Sequence, residues 1–157
     1  VGIEIERKFL VDTAVWSPGE VRGVPMRQGY IASSDRAVVR IRMEGARGVL
    51  TIKGRTAGVS RPEYEYEIPA EDADQMLATL AGALVEKTRY HVPCGAHVWD
   101  VDVFAGANAG LVMAEVELAT PDEDFERPAW LGEEVSHDPR YRNSALAADP
   151  FTRWPRR

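Results

Sequence analysis

Residues 3–9 read Ile3-Glu4-Ile5-Glu6-Arg7-Lys8-Phe9, and the two faces of that stretch decide the fold. Successive side chains of a β-strand point to opposite sides. Glu4, Glu6 and Lys8 therefore share one face, and Ile3, Ile5 and Phe9 the other. The alternation recurs along the chain. Arg40 and Arg42 oppose Val39, Ile41 and Met43, and Thr51 and Lys53 oppose Leu50 and Ile52. Arg61, Glu63, Glu65 and Glu67 oppose Tyr64, Tyr66 and Ile68. Lys87 and Arg89 alternate with Thr88 and Tyr90, and Asp100 and Asp102 with Val101 and Val103. Glu115 and Glu117 oppose Ala114, Val116 and Leu118.

Working outward, the alternation predicts strands over about 2–11, 26–32, 37–43, 48–54, 62–69, 87–92, 98–104 and 111–119. Short turn-forming links such as Ser33-Ser34-Asp35, Glu44-Gly45 and Pro93-Cys94-Gly95 make most neighbours antiparallel. One helix is predicted at about 71–84, with Met76, Leu77, Leu80 and Leu84 on one stripe and Glu71, Asp72 and Asp74 near its start. After residue 120 the pattern changes. Pro121, Pro128, Pro139 and Pro150 divide short helical pieces, of which Asn143 to Asp149 is the clearest. Residues 120–157 read as a wrapping, partly helical tail of a single domain covering 1–157, and acidic Pro121 to Arg127 reads as a mobile flank. The fold class is α+β and β-dominated. Eight strands suit a small closed antiparallel barrel with helices outside, although a flat sheet with one helical cover would give the same pattern.

The charges limit what such a sheet can do. For any one pair, a solvated strand face with cross-strand ion pairs is sufficient. Across all these strands the like-signed pairs suggest something else: acidic at 4/6, 63/65, 100/102 and 115/117, basic at 40/42 and 87/89. Like charges cannot be held close in a low dielectric unless something lies between them. A polyanion with a divalent metal would fill that role. Arg and Lys hold phosphate oxygens, and carboxylates hold Mg²⁺ or Mn²⁺.

Composition agrees with a globular domain: of 157 residues, 45% are hydrophobic and 28% charged. With 25 acidic against 19 basic residues the net charge is −6, which disfavours binding along a nucleic-acid backbone. The lone Cys94 excludes an internal disulfide and a cysteine-based zinc site. No apolar run is long enough to span a membrane and the charged start is unlike a signal peptide, so a cytoplasmic location is expected. His91, His97 and His137 lack metal-ligand spacing; His91 is expected at the surface and the other two in loops. Trp99 is expected to pack outside the barrel, and Trp16, Trp130 and Trp154 to anchor irregular segments.

Glu4-Ile5-Glu6-Arg7-Lys8 resembles the ExExK motif of the CYTH, or triphosphate tunnel metalloenzyme, superfamily. The resemblance continues in order through Gln28-Gly29-Tyr30-Ile31, Arg40-Ile41-Arg42, Thr51-Ile52-Lys53 and Arg61-Pro62-Glu63-Tyr64-Glu65. It runs on through Glu86-Lys87-Thr88-Arg89-Tyr90, Asp102-Val103-Phe104, Ala114-Glu115-Val116-Glu117-Leu118 and Gly132-Glu133-Glu134-Val135, with Arg140-Tyr141. The pattern is most similar to small bacterial single-domain inorganic triphosphatases. The resemblance implies an eight-stranded tunnel and metal-dependent hydrolysis of a triphosphate phosphoanhydride, inorganic tripolyphosphate first. It implies that Lys8, Arg40, Arg42, Lys53, Arg61, Lys87 and Arg89 contact the substrate. Glu4, Glu6, Glu115 and Glu117 would bind a first Mg²⁺ or Mn²⁺, while Glu63, Glu65 and Asp102 would position a second metal, water or the basic residues. Glu4 or Glu65 would accept the proton of the attacking water, and Lys87, near Tyr30, would serve as acid/base or as a phosphate ligand. The implied partner is a small anion, with a homodimer also allowed. Other readings are a class IV adenylate cyclase, a thiamine, nucleoside or RNA 5′-triphosphatase, a non-catalytic polyphosphate or nucleotide binder, and a salt-bridged structural barrel.

Overall fold

The computed structural model describes residues 2–155. The strands are β1 (Ile3–Val11), β2 (Val24–Ser33), β3 (Ala37–Glu44), β4 (Arg47–Gly54), β5 (Ser60–Ile68), β6 (Val85–Cys94), β7 (His97–Phe104), β8 (Val112–Glu117) and β9 (Leu131–Glu134). The helices are α1 (Ala70–Thr79) and α2 (Asn143–Ala148), with short 3₁₀ turns at Gly106–Asn108, Pro139–Tyr141 and Phe151–Arg153. All neighbouring strands are antiparallel, in the order β5-β4-β3-β2-β6-β7-β8-β1. β1 then pairs with β5 through Ile3↔Pro62, Glu4↔Arg61 and Ile5↔Ser60. The sheet is therefore a closed eight-stranded barrel, as the alternation predicts.

The tail departs from expectation. It contributes β9, which pairs with the later part of β1 at Phe9↔Glu134 and Val11↔Leu131. Four residues between Pro128 and Ser136 are too few for a period of two to stand out, and their order comes from the edge that β1 offers. The segment Pro121 to Arg127 is packed rather than loose. Phe125 lies edge-on to Phe9 and Trp99, while Glu123 bonds His97 and Glu126 bonds Cys94. His97 is the first residue of β7, not a loop residue. The terminal arginines Arg153, Arg156 and Arg157 suggest a solvated end from sequence; the last two lie outside the described residues.

Helix α1 is shorter than predicted. It stops at Thr79, so Leu80 falls off the apolar stripe and is 60% exposed. Leu84 still reaches the cluster around Ile41, but from the loop before β6. Ala73 and Leu77 press α1 onto Ile41 and Met43. A Cβ on Gly48 would meet Ala73 Cβ at 2.8 Å, so the bare backbone there admits the helix.

Charge inside the barrel moves the apolar core outside. The outer faces of β1, β7 and β8 bury Phe9, Trp99, Val101, Ala114 and Val116 beneath Trp16, Phe125 and Trp130. Trp99 is fully buried, with Phe9 and Trp130 both edge-on at 5.7 Å between ring centroids. A third cluster closes one barrel end. Leu10, Val85, Phe104 and Met113 stand two residues from Lys8, Lys87, Asp102 and Glu115, so they share the inner face. They meet Val135, Tyr141 and Leu146 of the tail. The tail thus caps this end in addition to wrapping the outside. No helix among the described residues is long and apolar enough to cross a membrane.

A polar clamp holds β9 to β1. Arg7 donates to both carboxylate oxygens of Glu134, at 2.9 and 2.7 Å, and Ser136 Oγ donates to Glu134 at 2.7 Å. The hydrogen bond from Arg7 holds the Glu134 carboxyl down at about 2, aided by Ser136. A carboxylate held below its unfolded value stabilises the fold fully above that value and loses the contribution as pH falls toward the folded one. Glu134→Gln is expected to lower unfolding free energy by about 1–2 kcal/mol at pH 7, after allowance for partial solvent screening. In denaturant titrations, the difference from wild type should shrink between pH 4.5 and about 2.

Candidate functional site

Every candidate catalytic, substrate-binding or metal-binding residue named from the sequence, apart from Asp102, lines one cavity of about 200 Å³. Strand order sorts these side chains into two arcs. Lys87 and Arg89 on β6, Tyr30 on β2, Arg40 and Arg42 on β3 and Lys53 on β4 form a largely basic arc. Glu63 and Glu65 on β5, Glu4 and Glu6 on β1, Glu115 and Glu117 on β8 and Asp100 on β7 form an acidic arc. Lys8 and Arg61 are the cations set within the acidic side. Antiparallel register fixes the arcs, because partners at the same level share a face: Arg40↔Thr51, Thr51↔Glu65, Lys53↔Glu63 and Glu4↔Arg61.

Most cations are matched. Lys53 Nζ lies 2.9 Å from Glu4 and 3.3 Å from Glu63. Arg40 donates to Thr51 Oγ1 at 3.1 Å and lies 3.6 Å from Glu65, but its Nε is buried without an acceptor. Arg42 is clasped by Glu44. Lys8 faces Glu115 at 3.7 Å. Gln28 donates to the Tyr30 hydroxyl at 3.3 Å.

Asp102 sits behind the cavity wall, only 2% exposed. Arg89 donates to both of its oxygens, at 2.7 and 2.9 Å, and Lys87 Nζ is 2.8 Å away. Lys87 also donates to Asn143 Oδ1 at 3.0 Å. Asp102 is thus placed to hold two cations in position. Burial pulls the Lys87 ammonium down to about 8, with Arg89 and Arg42 adding to the fall and Asp102 opposing it. Burial pushes the Asp102 carboxyl up, but Lys87 and Arg89 outweigh it and hold the group below its ordinary value. Glu115 is likewise low: Lys8, Arg89 and Lys87 overcome its burial.

Glu6 and Glu117 behave differently. They are direct cross-strand partners on one face, where two like charges repel. No ion pair among the described residues includes either one. Burial, then Glu115 and Glu4, push the Glu6 carboxyl well above its usual range. Burial and Glu6 raise Glu117. Lys53 and Lys8 relieve this repulsion only in part, and the oxygen-only donors of the pair suit a hard divalent cation such as Mg²⁺ or Mn²⁺. Among the described residues, no three His, Cys, Asp or Glu side chains are gathered tightly enough to hold a metal ion. Glu4 turns to Lys53 and Glu115 to Lys8, so a full ligand set requires exchange of those ion pairs.

Several lining residues escaped the sequence reading. Arg142, Asn143 and Ser144 come from the tail, where no strand alternation marks an inward face. Asp100 shares its face with Asp102 but was not among the predicted ligands. His91 is exposed as expected and bonds Asp100 at 2.7 Å.

The chain belongs to the family defined by the CYTH domain, whose pattern matches residues 2–145. It is 43% identical over 152 residues to an inorganic triphosphatase of Acetivibrio thermocellus, covering 96% of this chain and 97% of that protein. It is 42% identical over 149 residues to an inorganic triphosphatase of Nitrosomonas europaea, covering 92% and 96%. A crystal structure of an inorganic triphosphatase superposes with a TM-score of 0.66 at 40% identity, covering 92% of this chain and 97% of that one.

Two substitutions separate the matched charges from the unmatched pair. Asp102→Asn removes the carboxylate that Lys87 and Arg89 share, leaving Arg89 only its longer contacts to Asp100 and Glu115, and should cost roughly 3–5 kcal/mol of unfolding free energy. Glu6→Gln removes a carboxylate whose charged form opposes folding, so its midpoint in chemical denaturation should equal or exceed wild type.

Proposed function

We propose that the protein is a divalent-metal-dependent triphosphatase that hydrolyses inorganic tripolyphosphate inside the barrel. The carrying observation is the arrangement of the cavity: a basic arc faces an acidic arc in which Glu6 and Glu117 lie side by side, neither ion-paired to a Lys or Arg among the described residues. The triphosphatase names of full-length relatives at 42–43% identity support the same reading. Tyr30 is the only aromatic side chain among the described lining residues, so a nucleobase would find little to stack on.

Arg40, Arg42 and Arg89 present forked donors for phosphate oxygens, and Arg40 Nε already lacks an acceptor. Lys53 and Lys8 exchange a carboxylate for substrate when the phosphate chain enters. Phosphoryl transfer is mostly positioning and charge neutralisation, which this rigid two-arc frame suits. Glu6 and Glu117, with Glu4 and Glu115, would hold one Mg²⁺ or Mn²⁺, and Glu63 would help to hold a second. Such ions neutralise phosphate charge and make bound water a better nucleophile. Glu65, held by the Thr51 hydroxyl at 3.1 Å, is placed to accept the proton of the attacking water. Lys87 Nζ, lowered to about 8 and oriented by Asp102 and Asn143, donates to the departing phosphate oxygen as a cation and can give up a proton to it. Tyr30 OH adds a neutral donor on the same arc.

Phosphate release from tripolyphosphate with Mg²⁺ or Mn²⁺ should exceed release from ATP and thiamine triphosphate, and chelation should abolish it. Glu117→Gln should retain the fold and lose roughly 100-fold or more in turnover. Wild-type activity in a folded Glu117→Gln protein would contradict the metal role, and a cyclic product from ATP would point to a cyclase.

A further inference from the structure

A second cavity, of about 190 Å³, lies against the first and shares Val38, Arg61, Arg142 and Ser144 with it. Its outer wall is the β2–β3 turn, with Arg36, and the β4–β5 turn, with Arg55. Asp35 is the only carboxylate among its described lining residues, and Arg55 already pairs with it at 3.3 Å. Arg36, Arg61 and Arg142 take part in no ion pair among the described residues, whereas Arg40, Arg42, Lys53, Lys87 and Arg89 are all matched to carboxylates. Arg61 is fixed at the boundary by donating Nε and one terminal nitrogen to Gly54 O, at 3.1 and 2.9 Å. Burial lowers its guanidinium; nearby Glu4 opposes the fall, and the weaker repulsion from Arg142 adds to it. Guanidinium groups that outnumber the carboxylates beside them attract an anion, and phosphate matches their forked donors. No aromatic ring is among its described lining residues, which offer a nucleobase no stacking surface.

We propose that this second cavity is an outer phosphate subsite. It takes phosphoryl groups of a linear polyphosphate that extend beyond the three held in the barrel, with Arg36 and Arg142 as its cations and Arg61 at the neck. The proposal rests on the triphosphate reading of the main cavity. It extends that reading to longer chains of the same chemistry.

Equilibrium binding tests it without requiring turnover. Tripolyphosphate and a linear chain of about ten phosphates are titrated calorimetrically, without divalent metal, into wild type, into Arg36→Gln/Arg142→Gln, and into Arg22→Gln/Arg153→Gln. The last protein loses the same charge at exposed arginines that line neither cavity. The ratio of long-chain to triphosphate affinity should fall about tenfold in the first variant, as expected for loss of charge-assisted phosphate contacts, and stay within twofold of wild type in the second. The greater number of binding registers on a long chain affects all three proteins alike and cancels in the comparison. An unchanged ratio in Arg36→Gln/Arg142→Gln, or an equal fall in both variants, overturns the subsite. Failure of the triphosphatase reading would appear separately, as no phosphate release from tripolyphosphate by wild type with Mg²⁺ or Mn²⁺.

Discussion

A barrel of eight strands has room for one layer of inward side chains, and here most of those side chains are ionic. Everything else about the molecule answers to that constraint. Charges cannot serve as a hydrophobic core, so the apolar faces of the strands point outward and need covering. Helix α1 covers Ile41 and Met43; the segment before β9 covers Trp99 and Phe9. The remaining apolar inner positions occupy one end, where Tyr141 and Leu146 close over them. The tail therefore belongs to the core as much as the strands do.

Inside, the charges form two kinds of population. Asp102 with Lys87 and Arg89 is compensated and nearly dry, which suits a fixed frame. Glu6 and Glu117 are adjacent, alike and only partly compensated, so their arrangement costs stability. Residues that oppose folding yet sit on the most regular part of a sheet are the ones whose placement needs a functional reason. The same contrast separates the matched cations of the main cavity from the unmatched arginines beside it.

The strands and the inward faces were readable because period-two alternation with paired charges leaves little freedom of register. A slip of one residue on β1 would turn Glu4, Glu6 and Lys8 outward and bring Ile5 and Phe9 inside. What could not be read depended on distant partners. β9 is a strand because β1 has a free edge beside it, and Arg142 and Asn143 reach the cavity because Leu146 is anchored by Val85 and Met113. The early end of α1 came from the loop that returns the chain to β6, where Gly82 interrupts the stripe. Which of the roles implied for Asp102 it fills (second metal, water or the basic residues) also stayed open, since alternation gives a face and not a depth.

Strand β1 pairs with β5, β8 and β9, so the seam of the barrel joins segments far apart in the chain. During synthesis β1 leaves the ribosome well before β8 and β9 exist. Until they emerge, its hydrogen-bonding edges and the ring of Phe9 lack their permanent neighbours. Pairings of such long sequence separation form slowly and leave strand edges open to other chains. The alternating glutamates and lysine of β1 keep one face of the waiting strand strongly hydrated, so the residues that equip the cavity also protect the nascent chain from aggregation.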